Sequence, residues 1–415
     1  MKDHLNIPKL RFAEFNEKWE KKRLGNLLEF KNGINASKEQ YGRGVKFINV
    51  LDILNNDFIT HDRIVGSVDV TKEVLDKYPV AYGDILFQRS SETREEVGSA
   101  TVYLDKENIA TFGGFVIRGK KIGEYEPYFL NKLLKTDAAR DNITSKSGGS
   151  TRYNVGQETL SSVVLSFPSL PEQQKIASFL TKVDEKVTQL KTKKRFLEQY
   201  KMAMMQKIFS QEIQFRDDSG EKYPDWEEKT LDEISNEHLE KNLKGKYKEV
   251  FSVAKNKGVI NQIEHLGRSF SASDISNYKV CHHGDLVYTK SPTSDFPFGI
   301  IKQNRTNRVG VVSPLYCVFK PINFSLGYII HEYFSTWINT YNYLVPLVQK
   351  GAKNTMNINN KDFLEGGYIL LPIAEMEQIK IANFLSAIDK KIAHTQTQIN
   401  KAEQWKNGLL QQMFV

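Results

Sequence analysis

The chain has 415 residues, 40% hydrophobic and 26% charged, the make-up of a soluble globular protein too long for one ordinary core, so two or three domains are expected. Its 58 Lys and Arg exceed its 50 Asp and Glu, for a formal charge of +8 and a pI of about 9.0; that excess favours a polyanionic partner over an acidic one. Two cysteines, Cys281 and Cys317, exclude a disulfide framework and fit a reducing cytoplasm, MKDHLNIPKL lacks the apolar stretch of a secretory signal, and no apolar run approaches the roughly 20 residues of a membrane helix.

In chain order, KWEKKRLGNL from Lys18 places Trp19 near the start. GDILFQRS from Gly83 reads as a Gly-Asp turn feeding a short strand. Gln88, Arg89, Ser90, Ser91, Glu92, Thr93 and Arg94 then form a polar, partly basic turn cluster. EPYFLNKLLKTDAARDNI reads as an amphipathic helix. SKSGGSTRYNV puts Lys146, Ser150, Thr151, Arg152 and Tyr153 on a Gly-rich turn. LPEQQKIASFL opens the longest helical pattern, with Pro171 where proline can begin a helix and no Pro or Gly between Glu172 and Ser210. Ile176, Val183, Leu190, Leu197 and Met204 recur every seven residues. Leu180, Val187 and Ile208 form a second row that Lys194 and Lys201 interrupt. This heptad run predicts a coiled-coil seam.

The chain then repeats its plan. DWEEKTLDEI from Asp225 aligns Trp226 with Trp19, and GDLVYTKS from Gly284 echoes GDILFQRS. A second turn cluster follows, with Thr289, Lys290, Ser291, Pro292, Thr293 and Ser294. GVVSPLYCVFK reads as a strand and LGYIIHEYFSTWINTYNYL as an amphipathic helix. QKGAKNTMNI carries Lys350, Lys353, Asn354 and Thr355 ahead of NINNKDF, which echoes NVGQETL. QIKIANFL from Gln378 repeats QQKIASFL from Gln173, and at the same offset Asp389, Lys391, Glu403, Gln404 and Lys406 repeat Asp184, Lys186, Glu198, Gln199 and Lys201. The second seam has Ile381, Ile388 and Leu409 in one row and Leu385, Ile392, Ile399 and Met413 in the other, with Pro372 just ahead.

Two copies are too few for a solenoid. Duplication predicts two similar α/β globular domains, residues 1–168 and 211–371, each followed by a long helix, residues 169–210 and 372–415. Each helix would have ~35 residues and a length of roughly 50 Å. If the second domain is compact, the second helix must run back along the first. The expected fold is therefore an antiparallel two-helix coiled coil between two α/β domains, with a pseudo-two-fold internal repeat.

A search for chemistry finds little. No GxxxxGK[ST] phosphate loop and no GxSxG elbow occurs, and YGRGVKF lacks the third glycine of a dinucleotide fingerprint. In CHH, Cys281 to His283, adjacent residues on a strand point to opposite faces, and no ligand pair follows at zinc spacing, so no metal is expected. YPDWEEK holds Glu227 and Lys229 almost contiguous with Asp225, where a nuclease needs them on separate strands, and no catalytic residue is expected. The basic turn clusters, recurring at equivalent places, suit phosphates and base edges and point to DNA.

LPEQQKIASFLTKVDEKV, with its echo IAEMEQIKIANFLSAIDKKI, resembles the helical spacers of the specificity subunit of type I restriction-modification enzymes, and the likeness runs over essentially the whole chain. PIAEMEQ departs from the tighter LPEQQ, which predicts an irregular start to the second helix. The resemblance implies a non-catalytic cytoplasmic subunit in which each α/β domain is a target recognition domain reading one half of a split double-stranded DNA sequence. It implies that the helices set the gap and dock two methyltransferase subunits, with two restriction/translocase subunits joining the full complex. S-adenosylmethionine would be held by the methyltransferase partner, ATP and Mg by the motor-nuclease partner, and no cofactor by this chain, which has no NPPY-like or DPPY-like motif. Outward helix residues Lys182, Gln189, Lys193, Lys391 and Gln398 are the candidates for partner contact. Two other classes stay open: a stand-alone pseudo-dimeric DNA-binding regulator, and a coiled-coil adaptor with no DNA role.

Overall fold

The structure, a computed structural model, describes residues 7–149, 151–293, 295–350 and 356–415, and for residues 349, 350, 356 and 357 the backbone alone. It divides into two compact units, Met1–Lys191 with Thr397–Val415, and Thr192–Gln396. Each unit thus takes part of both long helices.

The first unit is built on a four-stranded antiparallel sheet in the spatial order Leu28–Asn32, Val116–Lys121, Ile85–Gln88, Ala100–Val102. Numbered along the chain, that order is 1-4-2-3. The Gly-Asp strand Ile85–Gln88 is central and buried on both faces. Side chains alternate across a strand. Ile85 and Phe87 accordingly join the main core with Leu28, Phe129 and Leu133, while Leu86 joins a second core with Ile48, Ile59 and Phe112. The strand Glu20–Arg23 pairs antiparallel with Val164–Phe167, which leads into the first long helix.

The second unit repeats this design. Its sheet runs Ser235–Glu237, Cys317–Pro321, Leu286–Tyr288, Ile301–Gln303, antiparallel throughout and again in the order 1-4-2-3. Leu286 and Tyr288 face the main core and Val287 a second one with Phe251, Val312 and Val318. Glu227–Lys229 pairs with Ile369–Leu371 ahead of the second long helix. The Gly-Asp motif has one structural job in both units. Gly83 and Gly284 each have φ +92°, a left-handed conformation that glycine adopts without strain. Asp84 accepts from Ala81 N at 3.0 Å and Lys121 N at 3.0 Å, and Asp285 accepts from His282 N at 2.7 Å. Burial pushes both carboxyls up.

Two expectations need correction. The helices read over 126–143 and 326–344 are each broken in two: Pro127–Leu133 then Asp137–Thr144, and Phe324–Tyr333 then Trp337–Leu344. Thr136 and Thr336 are the N-cap residues of the second pieces, and Thr136 accepts from Ala139 N. Pro127–Leu133 is buried on every side rather than amphipathic. GVVSPLYCVFK is likewise two strands, Gly310–Val312 and Cys317–Pro321, with Pro314 in the turn between them.

The long helices span Leu170–Phe209 and Glu375–Gln412, 40 and 38 residues, or about 60 and 57 Å at 1.5 Å per residue. They begin at positions 205 apart, each with its first backbone bond from a glutamine: Gln173 N to Ser169 O, and Gln378 N to Ala374 O. The irregular start expected of the second helix is absent. Gln173 Nε2 donates to Pro168 O at 2.9 Å and Gln378 Nε2 to Pro372 O at 2.8 Å, so Pro372 corresponds to Pro168, and Pro171 lies inside the first turn. Most of the seam residues pack as their spacing requires: Ile176, Leu180 and Val183 share a core with Leu409 and Met413, and Ile208 shares the other with Ile381, Leu385 and Ile388, but the methionine buried there is Met205 and not Met204 of the expected row. In each unit the head of one helix lies against the tail of the other, which is an antiparallel pairing.

The lysine that breaks the seam has an equivalent at each helix tail. Lys201 Nζ lies 2.6 Å from Asp389 and 2.8 Å from Glu332. Lys406 Nζ lies 2.6 Å from Asp184 and 2.9 Å from Asp57. Tyr128 donates to Asp184, and Tyr328 to Asp389. At one position the charges are swapped: Lys132 in the first unit, 2.7 Å from Asp184, stands where Glu332 stands in the second. Each is balanced within its own unit, Lys132 by Asp57 at 3.6 Å and Glu332 by Arg305 at 3.1 Å.

Candidate nucleic-acid interface

In the first unit the two basic turn clusters come together. Ser90–Ser91 pairs antiparallel with Tyr153–Asn154, and Ser90 Oγ donates to Asn154 Oδ1 at 2.5 Å. Gly148 and Asn154 pair with each other through Asn154 N to Gly148 O and Gly148 N to Asn154 O. Gly149 allows it: its φ is +114°, and a Cβ there would lie 2.0 Å from Arg152 O. Val155 N donates to Arg89 O, which ties this pair to the end of the central strand.

Arg89 and Arg152 reach adjacent residues. Arg89 Nη1 reaches Gly114 O at 3.4 Å, and the Arg152 guanidinium lies 6.0 Å from the Phe115 ring centroid. Both arginines and Thr151 are exposed, and Phe115 is 60% exposed. Beside them is a cavity of about 250 Å³ lined by Asn35, Tyr41, Phe47, Asn49, Leu51, Gly113, Gly114 and Phe115 among others. An exposed ring with two guanidinium groups, and beside it a largely apolar groove edged by Asn35 and Asn49, can stack on bases and hold phosphates. Phe115 and this groove were missed by the sequence reading; the available signal was the Gly-Gly-Phe run directly after a strand.

Other candidates have different positions. Gln88 is 4% exposed, with Nε2 donating to Ser90 O, because it ends a strand buried on both faces; it is not an outward reader. Arg94 Nε donates to Thr144 O at 3.3 Å and Lys146 Nζ to Ser162 O at 3.0 Å, so both brace the domain's own loops while remaining exposed. Tyr153 is half-buried against the main core.

The groove wall depends on close backbone approach. A Cβ at Gly33 would lie 2.1 Å from Gly113 O, a backbone atom that cannot swing aside. Gly33→Ala is expected to destabilise the first unit by about 1–3 kcal/mol, the usual cost of overpacking, and to open the 113–115 segment, seen as faster amide exchange there.

In the second unit the residues after Leu286–Tyr288 bond to one another. Thr289 Oγ1 accepts from Ile300 N at 3.2 Å, and Thr293 exchanges bonds with Phe296. Lys290 has φ +55° and is half-buried, and burial lowers its ammonium pKa. Thr293 is exposed. Gln349–Lys350 pairs with Met356–Asn357. The Lys350 side chain and Ser150, Ser294, Lys353, Asn354 and Thr355 lie outside the described residues.

On the long helices Lys182, Gln189, Lys193 and Lys391 are exposed and Gln398 is half-buried. The sequence reading missed exposed apolar residues there: Phe196, Tyr200 and Met202 are 57%, 47% and 67% exposed, with Phe196 and Tyr200 on one face at i, i+4 and Met202 on another. Among the described residues, no helix is long and apolar enough to cross a membrane.

Comparison with known proteins bears on all of this. Residues 16–199 match the family described as the type I restriction modification DNA specificity domain. The putative type I restriction enzyme MjaX specificity subunit of Methanocaldococcus jannaschii is 26% identical over 250 residues, 58% of this chain and 57% of that protein, so the match spans little more than half of that relative. The type I restriction enzyme MjaIX specificity subunit of the same organism is 24% identical over 426 residues, 94% of this chain and 91% of that protein. The crystal structure of the type I restriction-modification system S subunit from M. genitalium matches with a TM-score of 0.57 at 14% identity, covering 99% of each chain, a likeness of fold. Residues 16–199 thus match the DNA specificity domain of type I restriction-modification enzymes, and the chain with its duplicated domain-and-helix plan is similar over nearly its whole length to a specificity subunit of that kind.

Proposed function

We propose that this chain reads a two-part DNA sequence, one part with each globular domain, residues 1–168 and 211–371. The helices, residues 169–210 and 372–415, set the gap between the parts and dock two methyltransferase subunits. The observation that carries the proposal is the recurrence of the 1-4-2-3 sheet, with the same Gly-Asp turn and the same connection into a long helix, in both units. It extends the recognition role of residues 16–199 to the second half. In the first unit the reading surface is Arg89, Ser90, Thr151, Arg152 and Phe115 around the groove. In the second it is the segment of Lys290 and Thr293 with the strand pair that includes Lys350. Phe196 and Tyr200 with Lys193 and Lys391 in the second unit, and Lys182 and Gln189 in the first, are the positions offered to partner subunits, since exposed apolar residues of this kind mark protein contacts. The methyl donor belongs to the methyltransferase partner, ATP and Mg to the restriction/translocase partner, and this chain supplies position alone.

The test is to co-express the chain with its methyltransferase partner and map modified adenines across a genome. A motif of two short specified parts around an unspecified gap is expected. Modification at a continuous motif would overturn the two-reader arrangement.

A further inference from the structure

His238 and Glu240 stand two residues apart on the extended segment that leaves the strand Ser235–Glu237, so their side chains share one face. This segment bridges two sheets, because His238 N donates to Val318 O at 2.8 Å and Val280 N donates to Glu240 O at 2.9 Å. His282, in the turn ahead of Leu286–Tyr288, reaches the same place. His238 Nε2 and His282 Nε2 are each 3.1 Å from Glu240 Oε2, and the three ligand atoms lie within 4.8 Å of one another. Ligands about 2.0 Å from a tetrahedral ion stand roughly 3.3 Å apart, so these spacings suit one small cation. The imidazole rings stack at 5.1 Å between centroids and 15° between planes.

The surroundings orient the triad. His238 Nδ1 lies 3.2 Å from Oδ2 of Asp285, a carboxylate 1% exposed, and the same oxygen accepts from His282 N at 2.7 Å. A carboxylate behind an imidazole holds its tautomer and turns the other nitrogen's lone pair outward. Cys281 points into the core beside Val287, so adjacent residues do face apart, as the sequence reading assumed. What the local spacing could not reveal is that His282 finds its partners some forty residues upstream.

The first unit is an internal control. Its sheet registers place Phe30 against Gly119 and Ile85, as Glu237 lies against Phe319 and Leu286. Counting along the chain, Lys31, Gly33 and Ala81 occupy the positions of His238, Glu240 and His282. The scaffold and Asp84 are kept there, and all three ligands are missing. We propose that His238, Glu240 and His282 bind a divalent first-row transition ion, Zn²⁺ by preference, with water completing the coordination and Asp285 as a positioning residue. Two imidazoles with one carboxylate suit zinc over magnesium or calcium, which favour all-oxygen sites. The half-exposed Glu240 leaves one side open to water. The ion clamps segment 238–240 to the 281–285 turn and so joins two sheets of the second unit.

The test uses the tag-free full-length chain, stripped with chelator and titrated with Co²⁺ and then Zn²⁺. One equivalent of Co²⁺ should bind with a visible absorption band that Zn²⁺ abolishes. Glu240→Gln and His282→Asn should each weaken Co²⁺ binding by roughly 100-fold or more while circular dichroism stays unchanged. Asp285→Asn keeps the ligands and should shift the cobalt band and weaken binding about 10–100-fold. No uptake of Co²⁺ at one equivalent, or full uptake by Glu240→Gln, would show that the triad is a hydrogen-bonded cluster and overturn the proposal.

Discussion

Asp184→Ala is expected to lower the stability of the first unit by about 2–3 kcal/mol, near the lower end of the cost of breaking a buried ion pair. Asp184 accepts from Tyr128 and pairs with Lys132 and Lys406. Lys132 is 1% exposed. Without Asp184, two ammonium groups keep only Asp57 between them, and Lys135 already shares it at 3.3 Å. Adding Lys132→Met should recover part of the loss, because it removes the charge left uncompensated; a purely steric effect of the alanine would show no such recovery. The measurement is the urea midpoint of the first unit, followed by amide exchange in its helices. Acid should act through the same groups. Burial raises the carboxyls of Asp57 and Asp184, but the lysines around them outweigh it and hold both below the ordinary aspartate value. A carboxyl depressed in the folded state stabilises above its unfolded pKa, and that stability is lost as pH falls through the folded value. The midpoint should hold from neutrality to about pH 5 and drop below roughly pH 4, and Asp184→Ala should blunt that drop.

The second large effect concerns DNA. Arg152→Ala, assayed with the methyltransferase partner, is expected to weaken modification of the first part of the target. A bidentate base contact contributes about 1–3 kcal/mol, and its loss would relax a single base of the motif. A phosphate contact would instead weaken all sequences alike and reduce the salt dependence. Arg89→Ala should fall in the same assay, since the two side chains contact the adjacent residues Gly114 and Phe115. Arg94→Ala, whose guanidinium is engaged by Thr144 O, should have the smaller effect. Unchanged modification and binding by Arg152→Ala and Arg89→Ala together would remove this surface from the reading site.

Much of this was legible in the sequence because it is local or duplicated. The offset of 205 located both helices, and many of the heptad residues pack in the two cores, although Met205 takes the place expected of Met204. Even the breaks were meaningful: Lys201, a flaw in the seam by its pattern, pairs with Asp389 and Glu332. What stayed hidden is set by pairing across long separations. Nothing near Glu20 announces Phe167 as its partner, and nothing near Ser90 announces Asn154. Gln88 looked like an outward reader because polarity alone does not show that its strand is covered on both faces. The breaks at Thr136 and Thr336 were obscured because apolar residues continue on both sides of the cap.

The swapped charges at Lys132 and Glu332 bear on how such a protein can be recombined. The helices offer each domain the same socket, one Asp and one Lys: Asp184 with Lys406, and Asp389 with Lys201. The domains answer it with a shared tyrosine and with opposite charges, each neutralised from inside its own domain, by Asp57 or by Arg305. A domain moved as a whole brings its neutralising charge with it and meets a socket it already fits. A graft that separates residue 57 from 132, or 305 from 332, leaves a bare charge against the helices. A whole-domain exchange with crossover points at the helix ends therefore keeps each of these charges neutralised.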